Sequence, residues 1–137
     1  MEGYWFRSTQ FQIIEDEDLD TAPGIYGRQL AYWLRDGLVE AGYARADVQP
    51  EPWGWCVVVS LRPLLWVGCG GVVPDGVDAE AVRGDALLWH CHAEVEHSWL
   101  MGWCRGAAVE ASVRQLDIAL QTLLVGERRI QLVDPPL

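Results

Sequence analysis

From Tyr4 to Ile14, apolar and polar residues alternate roughly by two, with Tyr4, Phe6, Phe11 and Ile13 set among Arg7, Ser8, Thr9, Gln10 and Gln12. That period gives a strand one apolar and one polar face, so a half-buried strand is predicted over residues 4 to 14. The period then changes: Tyr26, Leu30, Trp33, Leu34, Leu38 and Ala41 recur every three or four residues, the stripe of an amphipathic helix over roughly residues 23 to 41. Asp20 and Thr21 supply capping side chains, Pro23 suits a first helical turn and Gly42 ends the segment. Arg28, Arg35, Asp36 and Glu40 fall off the stripe, and only Gly37 weakens the helix from within.

Pro50 and Pro52 around Glu51 read as a linker from Asp47 to Gly54. Trp55 to Leu61 and Leu64 to Cys69 are nearly continuous apolar runs on either side of Pro63, which predicts a hairpin in the middle of a sheet. Residues 70 to 85, rich in Gly, Pro and Asp, read as a loop. Leu87, Trp89, Cys91, Ala93 and Val95 then alternate with Leu88, His90, His92, Glu94 and Glu96, a half-buried strand. Residues 97 to 106 favour no element. Val109, Val113, Leu116, Leu120, Leu123 and Leu124 trace a second helix ended by Gly126, and residues 129 to 133 form a short edge strand before Pro135 and Pro136. This order does not alternate strand with helix regularly, which disfavours a doubly wound parallel sheet. The expectation is one α+β domain over residues 1 to 137, with a mainly antiparallel sheet of about five strands and two amphipathic helices on one face.

Composition narrows the function. The 137 residues suffice for one substantial core. No apolar run approaches the roughly 20 residues of a membrane-spanning helix. The N-terminal residues lack a basic start, an apolar stretch and a small-residue cleavage site, so a cytoplasmic protein is expected. Cys56, Cys69, Cys91 and Cys104 form no CxxC pair and read as reduced, three of them as small hydrophobes in buried strands. Twenty acidic residues against ten basic ones, all arginine, give a formal net charge of -10. Nucleic acid is therefore disfavoured as a partner, because its binding draws on cations that neutralise phosphates. A basic protein partner is favoured. The chain also carries eight tryptophans, most of them expected in the core.

Few constellations carry chemistry. Period-two spacing sets His90, His92 and Glu94 side by side on one strand face, where two imidazoles and a carboxylate can bind a divalent metal, with His97 as a fourth ligand from the following loop. The competing reading is a plain polar strand face. Cys69, flanked by Gly68, Gly70 and Gly71, suggests a nucleophile on a sharp turn, but no helix follows to supply stabilising amides. The same glycines miss the spacing of a dinucleotide or P-loop fingerprint. None of the four serines lies in a Gly-x-Ser-x-Gly context, and there is no lysine for Schiff-base chemistry. No cofactor and no catalytic residue are therefore expected. Two other features suit a partner instead. Glu15, Asp16, Glu17, Asp18 and Asp20 put five carboxylates into six residues, read as a solvated loop, and Trp53 beside Glu51 has the character of an exposed aromatic anchor.

The runs Trp5 to Phe11, Pro23 to Ala31, Pro52 to Cys56 and Leu65 to Gly70, with Trp89 to Cys91 more distantly, resemble a group of small uncharacterised proteobacterial proteins. The resemblance covers approximately the first half of the chain and implies a bacterial, cytoplasmic protein without assigned catalytic residues. In size and charge alone the chain also resembles immunity proteins, which neutralise antibacterial toxins. The leading expectation is thus a non-enzymatic immunity or inhibitor protein. It would bind a basic, secretion-system-delivered toxin domain through Glu15, Asp16, Glu17, Asp18, Asp20, Glu51 and Trp53. A metal-binding protein or metal-dependent enzyme using His90, His92 and Glu94 is the alternative. An acidic mimic of nucleic acid ranks below both, because its carboxylates would spread in a stripe.

Overall fold

The computed structural model describes residues 3–78, 82–96 and 106–136. They form an α+β fold of seven strands and two helices: β1 (Tyr4–Ser8), β2 (Ile25–Tyr26), α1 (Arg28–Glu40), β3 (Asp47–Glu51), β4 (Gly54–Leu61), β5 (Leu64–Val72), β6 (Leu88–Glu96), α2 (Ala107–Gly126) and β7 (Ile130–Val133). The sheet order is β3-β4-β5-β6-β1-β7, with every pair antiparallel. The short β2 pairs with the end of β5, Ile25 opposite Val72 and Tyr26 opposite Gly71. It takes up the ladder where β4 stops, since Trp55 near the start of β4 lies opposite Cys69.

The antiparallel class and the two helices agree with the sequence pattern, and so does the β4–β5 hairpin. Seven strands replace the expected five, and both additions have a physical cause. Pro23-Gly24 does not open a helix. Ala22 to Ile25 close a turn, with Ile25 N donating to Ala22 O at 2.9 Å and Gly24 at φ 81°. Proline followed by a residue at positive φ is the chemistry of a type II turn, and it outcompetes helix initiation here. The chain leaves that turn as β2, and α1 begins only at Arg28. The expected linker at 47–54 is largely β3. It is an edge strand, where Pro50 needs no backbone donor toward solvent. Conversely, β1 stops at Ser8, whose Oγ accepts from Gln10 N at 3.0 Å and turns the chain. Residues 9–14 are therefore not strand. β5 in turn runs to Val72, three residues into the expected loop.

Both helices pack on one face of the sheet. Leu30, Ala31, Leu34 and Leu38 of α1, with Val113, Leu116, Leu120 and Leu124 of α2, meet Phe6, Trp55, Val57, Val67, Cys69, Trp89, Cys91 and Ala93 in one core. Phe11 enters it from the segment after β1, edge-on to Phe6, Trp33 and Trp89 at 6.4, 5.6 and 5.7 Å. Trp89 Nε1 donates to Gly84 O at 3.1 Å, which satisfies the buried indole. Tyr4 Oη donates to the Asp117 carboxylate at 3.1 Å and ties β1 to α2. No helix among the described residues is long and apolar enough to cross a membrane.

Candidate functional site

The side of the sheet away from the helices holds the features of interest. Register across the strands places Trp5 opposite His90, Gly70 opposite His90, Gly68 opposite His92 and Trp66 opposite Glu94. Directly paired residues share a face, so β1, β5 and β6 contribute to one surface. The rings form a continuous ladder. Trp5 lies 4.9 Å from His90, His90 stacks on His92 at 6.2 Å, His92 meets Trp66 edge-on at 5.7 Å, and Trp66 packs on Trp53 at 5.4 Å.

Glycines make this possible. A Cβ on Gly68 would stand 2.6 Å from His92 Cε1 and 2.9 Å from the Trp66 ring, and one on Gly70 would lie 3.5 Å from His90 Nε2. His92 therefore lies down over bare backbone at Gly68, whereas a Cβ at Gly70 would meet His90 in ordinary van der Waals contact. Gly3, Trp5, His90, Cys91, His92 and Glu94 bound an open depression of about 280 Å³ beside them.

Burial holds both imidazoles neutral near pH 7: His90 is pushed down to about 4, with the neighbouring His92 acting in the same direction. His92 is also lowered, chiefly by burial, against an opposing pull from Glu94. The Glu94 carboxylate approaches His92 Nε2 at 3.9 Å. His90 and His92 thus sit together with Glu94, as period-two spacing required. Among the described residues, however, no group of three or more His, Cys, Asp or Glu side chains is placed to hold a metal ion. His97 lies outside the described residues.

The acidic segment divides. Glu15, Asp16 and Asp20 are exposed and Asp18 is half-buried, its carboxylate accepting from Gly24 N at 3.1 Å. Glu17, expected with them at a partner surface, is instead only 2% exposed. Its carboxylate accepts from Ile14 N at 2.8 Å, Gly27 N at 2.7 Å and Arg28 N at 3.1 Å. Gly27 caps α1 without a side chain of its own, so the carboxylate from ten residues earlier supplies the acceptor that a helix N-terminus needs. The segment is thus a folded turn with an inward anchor.

Trp53 is 42% exposed on the β3–β4 turn, against Trp66, while Glu51 beside it accepts from Gln49 Nε2 at 3.1 Å. The Trp53 turn and the acidic segment are fixed at the same end of the sheet. Gly27, held by Glu17, abuts Gly70, and Gly70 in turn abuts Gly54. Trp55, by contrast, is core at 3% exposure.

Sequence reasoning expected most tryptophans in the core and missed Trp5 and Trp66 as members of this face. The signal that could have found them is the phase of alternation relative to His90, once the strand partners are known. Cys69 is fully buried on the helix side, opposite Cys91, and burial raises its thiol well above the usual range. That environment makes an inert thiol. Cys56, Cys69 and Cys91 are all free.

Compared with known proteins, the chain matches no family model, no curated protein and no solved structure. The class its fold defines is an antiparallel α+β sheet with one helix-covered face and one face of stacked aromatic rings.

Proposed function

We propose that this chain is a protein-binding protein of the immunity or inhibitor type, which neutralises a bacterial, secretion-system-delivered toxin by direct contact with its basic domain. The observation that carries the reading is Trp53: a large ring standing exposed beside Glu51, at the sheet end where Glu15, Asp16 and Asp20 are also presented. A partly exposed tryptophan backed by packed rings is the kind of residue that dominates binding energy, and carboxylates on the same molecule steer a cationic partner. The net charge of -10 adds to that steering. Glu17 contributes by shaping the turn.

The test is a binding measurement against basic toxin domains encoded beside this chain's reading frame, supported by rescue of growth when chain and toxin are co-expressed. Reversing Glu15, Asp16 and Asp20 to arginine should slow association and flatten its dependence on salt. Trp53→Ala should weaken affinity about 30-fold or more, mainly through faster dissociation, as a hot spot of about 2 kcal/mol requires. A cognate toxin whose affinity ignores both changes would show that the contact lies elsewhere.

A further inference from the structure

The ladder of rings on the sheet face opposite the two described helices is continuous with Trp53 but belongs to strands the proposed contact does not use. We infer that the depression between Trp5, His90, His92 and Glu94 receives a single cationic side chain, arginine or lysine, projecting from a basic protein partner. This inference rests on the reading above that the partner is basic.

Three features of the site select a cation. The Trp5 indole borders the space and can present its electron-rich face, the best aromatic surface for holding guanidinium or ammonium groups. The two imidazoles stack nearly parallel, 15° apart, and being neutral near pH 7 they add ring faces and nitrogen lone pairs without repelling positive charge. Glu94 closes the rim with a carboxylate. Arg7, two residues beyond Trp5 along β1, lies on the side of Trp5 away from Gly3, which lines the depression. The dimensions agree as well. The depression holds about 280 Å³, room for the end of one long side chain but not for a folded element. Gly68 lets His92 lie low against the sheet beside this space.

The probe is tetra-arginine amide, with tetra-citrulline amide, its uncharged isostere, as the control. Binding is read by NMR at the His90 and His92 ring protons and the Trp5 indole, and by titration at two salt concentrations. Tetra-arginine should shift those three resonances and tetra-citrulline should not. Trp5→Leu should weaken tetra-arginine between about 2-fold and 30-fold, the range that a cation–π contact of about 0.5–2 kcal/mol implies. Trp5→Phe, which keeps a ring, should recover part of the loss and guards against reading misfolding as lost binding. Reversal of Glu15, Asp16 and Asp20 should lower affinity at low salt yet leave the ring shifts in place. If tetra-arginine binds and those reversals abolish binding while the ring resonances never move, this site is overturned and the acidic contact stands. Equal binding of tetra-citrulline, or unchanged affinity in Trp5→Leu, also overturns the site. Failure of tetra-arginine to bind at all overturns the site and removes the support that cationic binding would lend to the basic-partner reading.

Discussion

Removing the inward anchor of the acidic turn is the sharpest test of how this fold is held. In Glu17→Gln the side chain keeps its shape but trades one oxygen for an NH2 group. If the remaining oxygen takes the place of Oε1, it keeps Gly27 N and Arg28 N, and the new donor then faces Ile14 N, which now donates at 2.8 Å. A buried donor left without an acceptor costs about 1–3 kcal/mol. Loss of the negative charge at the first turn of α1 adds about 1 kcal/mol. The expected destabilisation is about 2–4 kcal/mol, a large fraction of a typical domain's total. Glu15→Gln and Asp20→Asn, both on exposed side chains, should stay within about 0.5 kcal/mol. The measurement is urea unfolding followed by tryptophan fluorescence and by far-ultraviolet circular dichroism, which should give one coincident transition. With an urea dependence of about 2 kcal/mol per molar, the Glu17→Gln midpoint should fall by about 1–2 M. A Glu17→Gln midpoint indistinguishable from those of the two exposed variants would refute the reasoning, because the turn would then be held by something other than this carboxylate.

Three further outcomes follow from the same geometry. Stability should fall as pH drops from about 6.5 toward about 4, because the unfolded chain protonates His90 near 6.5 while the folded chain resists until about 4. At about 1.4 kcal/mol for each decade of proton concentration, the full loss is on the order of 3 kcal/mol, and His92 acts in the same direction. Comparing urea midpoints of wild type and His90→Gln between pH 7 and pH 5 checks it; parallel pH dependences would refute it. Gly68→Ala should force the His92 and Trp66 rings apart, given the 2.6 Å and 2.9 Å approaches, at about 1–3 kcal/mol, and should displace the His92 ring resonances. Tyr4→Phe should cost about 1–2 kcal/mol by leaving Asp117 without its phenol donor, measured by the same unfolding assay, and Asp117→Asn should recover part of the loss in the double variant.

How much was legible depended on how local the cause was. The apolar phase of β6 was readable outright, since Leu87, Trp89, Cys91 and Ala93 are wholly buried while His90, His92 and Glu94 face the other way. The stripes of both helices were equally plain. β3 was hidden because its prolines argue against a strand until its place at the sheet edge is known. β5 offered no usable phase, as Leu64 to Gly71 is apolar at every position and nothing in the run says that Trp66 turns from the helices. Trp5 and Trp66 joined His90 and His92 only through pairings between residues far apart in sequence, which no window along the chain contains. The acidic run misled in the opposite direction: composition treats its five carboxylates alike, whereas Glu17 is singled out by donors that arrive from Gly27 and Arg28.

The two faces of the sheet illuminate each other. A sheet face without helices is usually polar, because water is its other layer. Here the central strands instead carry Cys56 and Val58, both nearly buried, then Trp66 and two glycines, then two imidazoles that burial keeps uncharged. Gly68 and Gly70 weaken a central strand, since each adds backbone entropy and no side chain to pack. That cost brings no benefit to the helix-side core, which Val67 and Cys69 fill from the alternate positions. What Gly68 does achieve is on the other side, where it lets His92 and Trp66 settle against the backbone. A central strand that gives up packing at Gly68 makes room for His92 and Trp66 on that face.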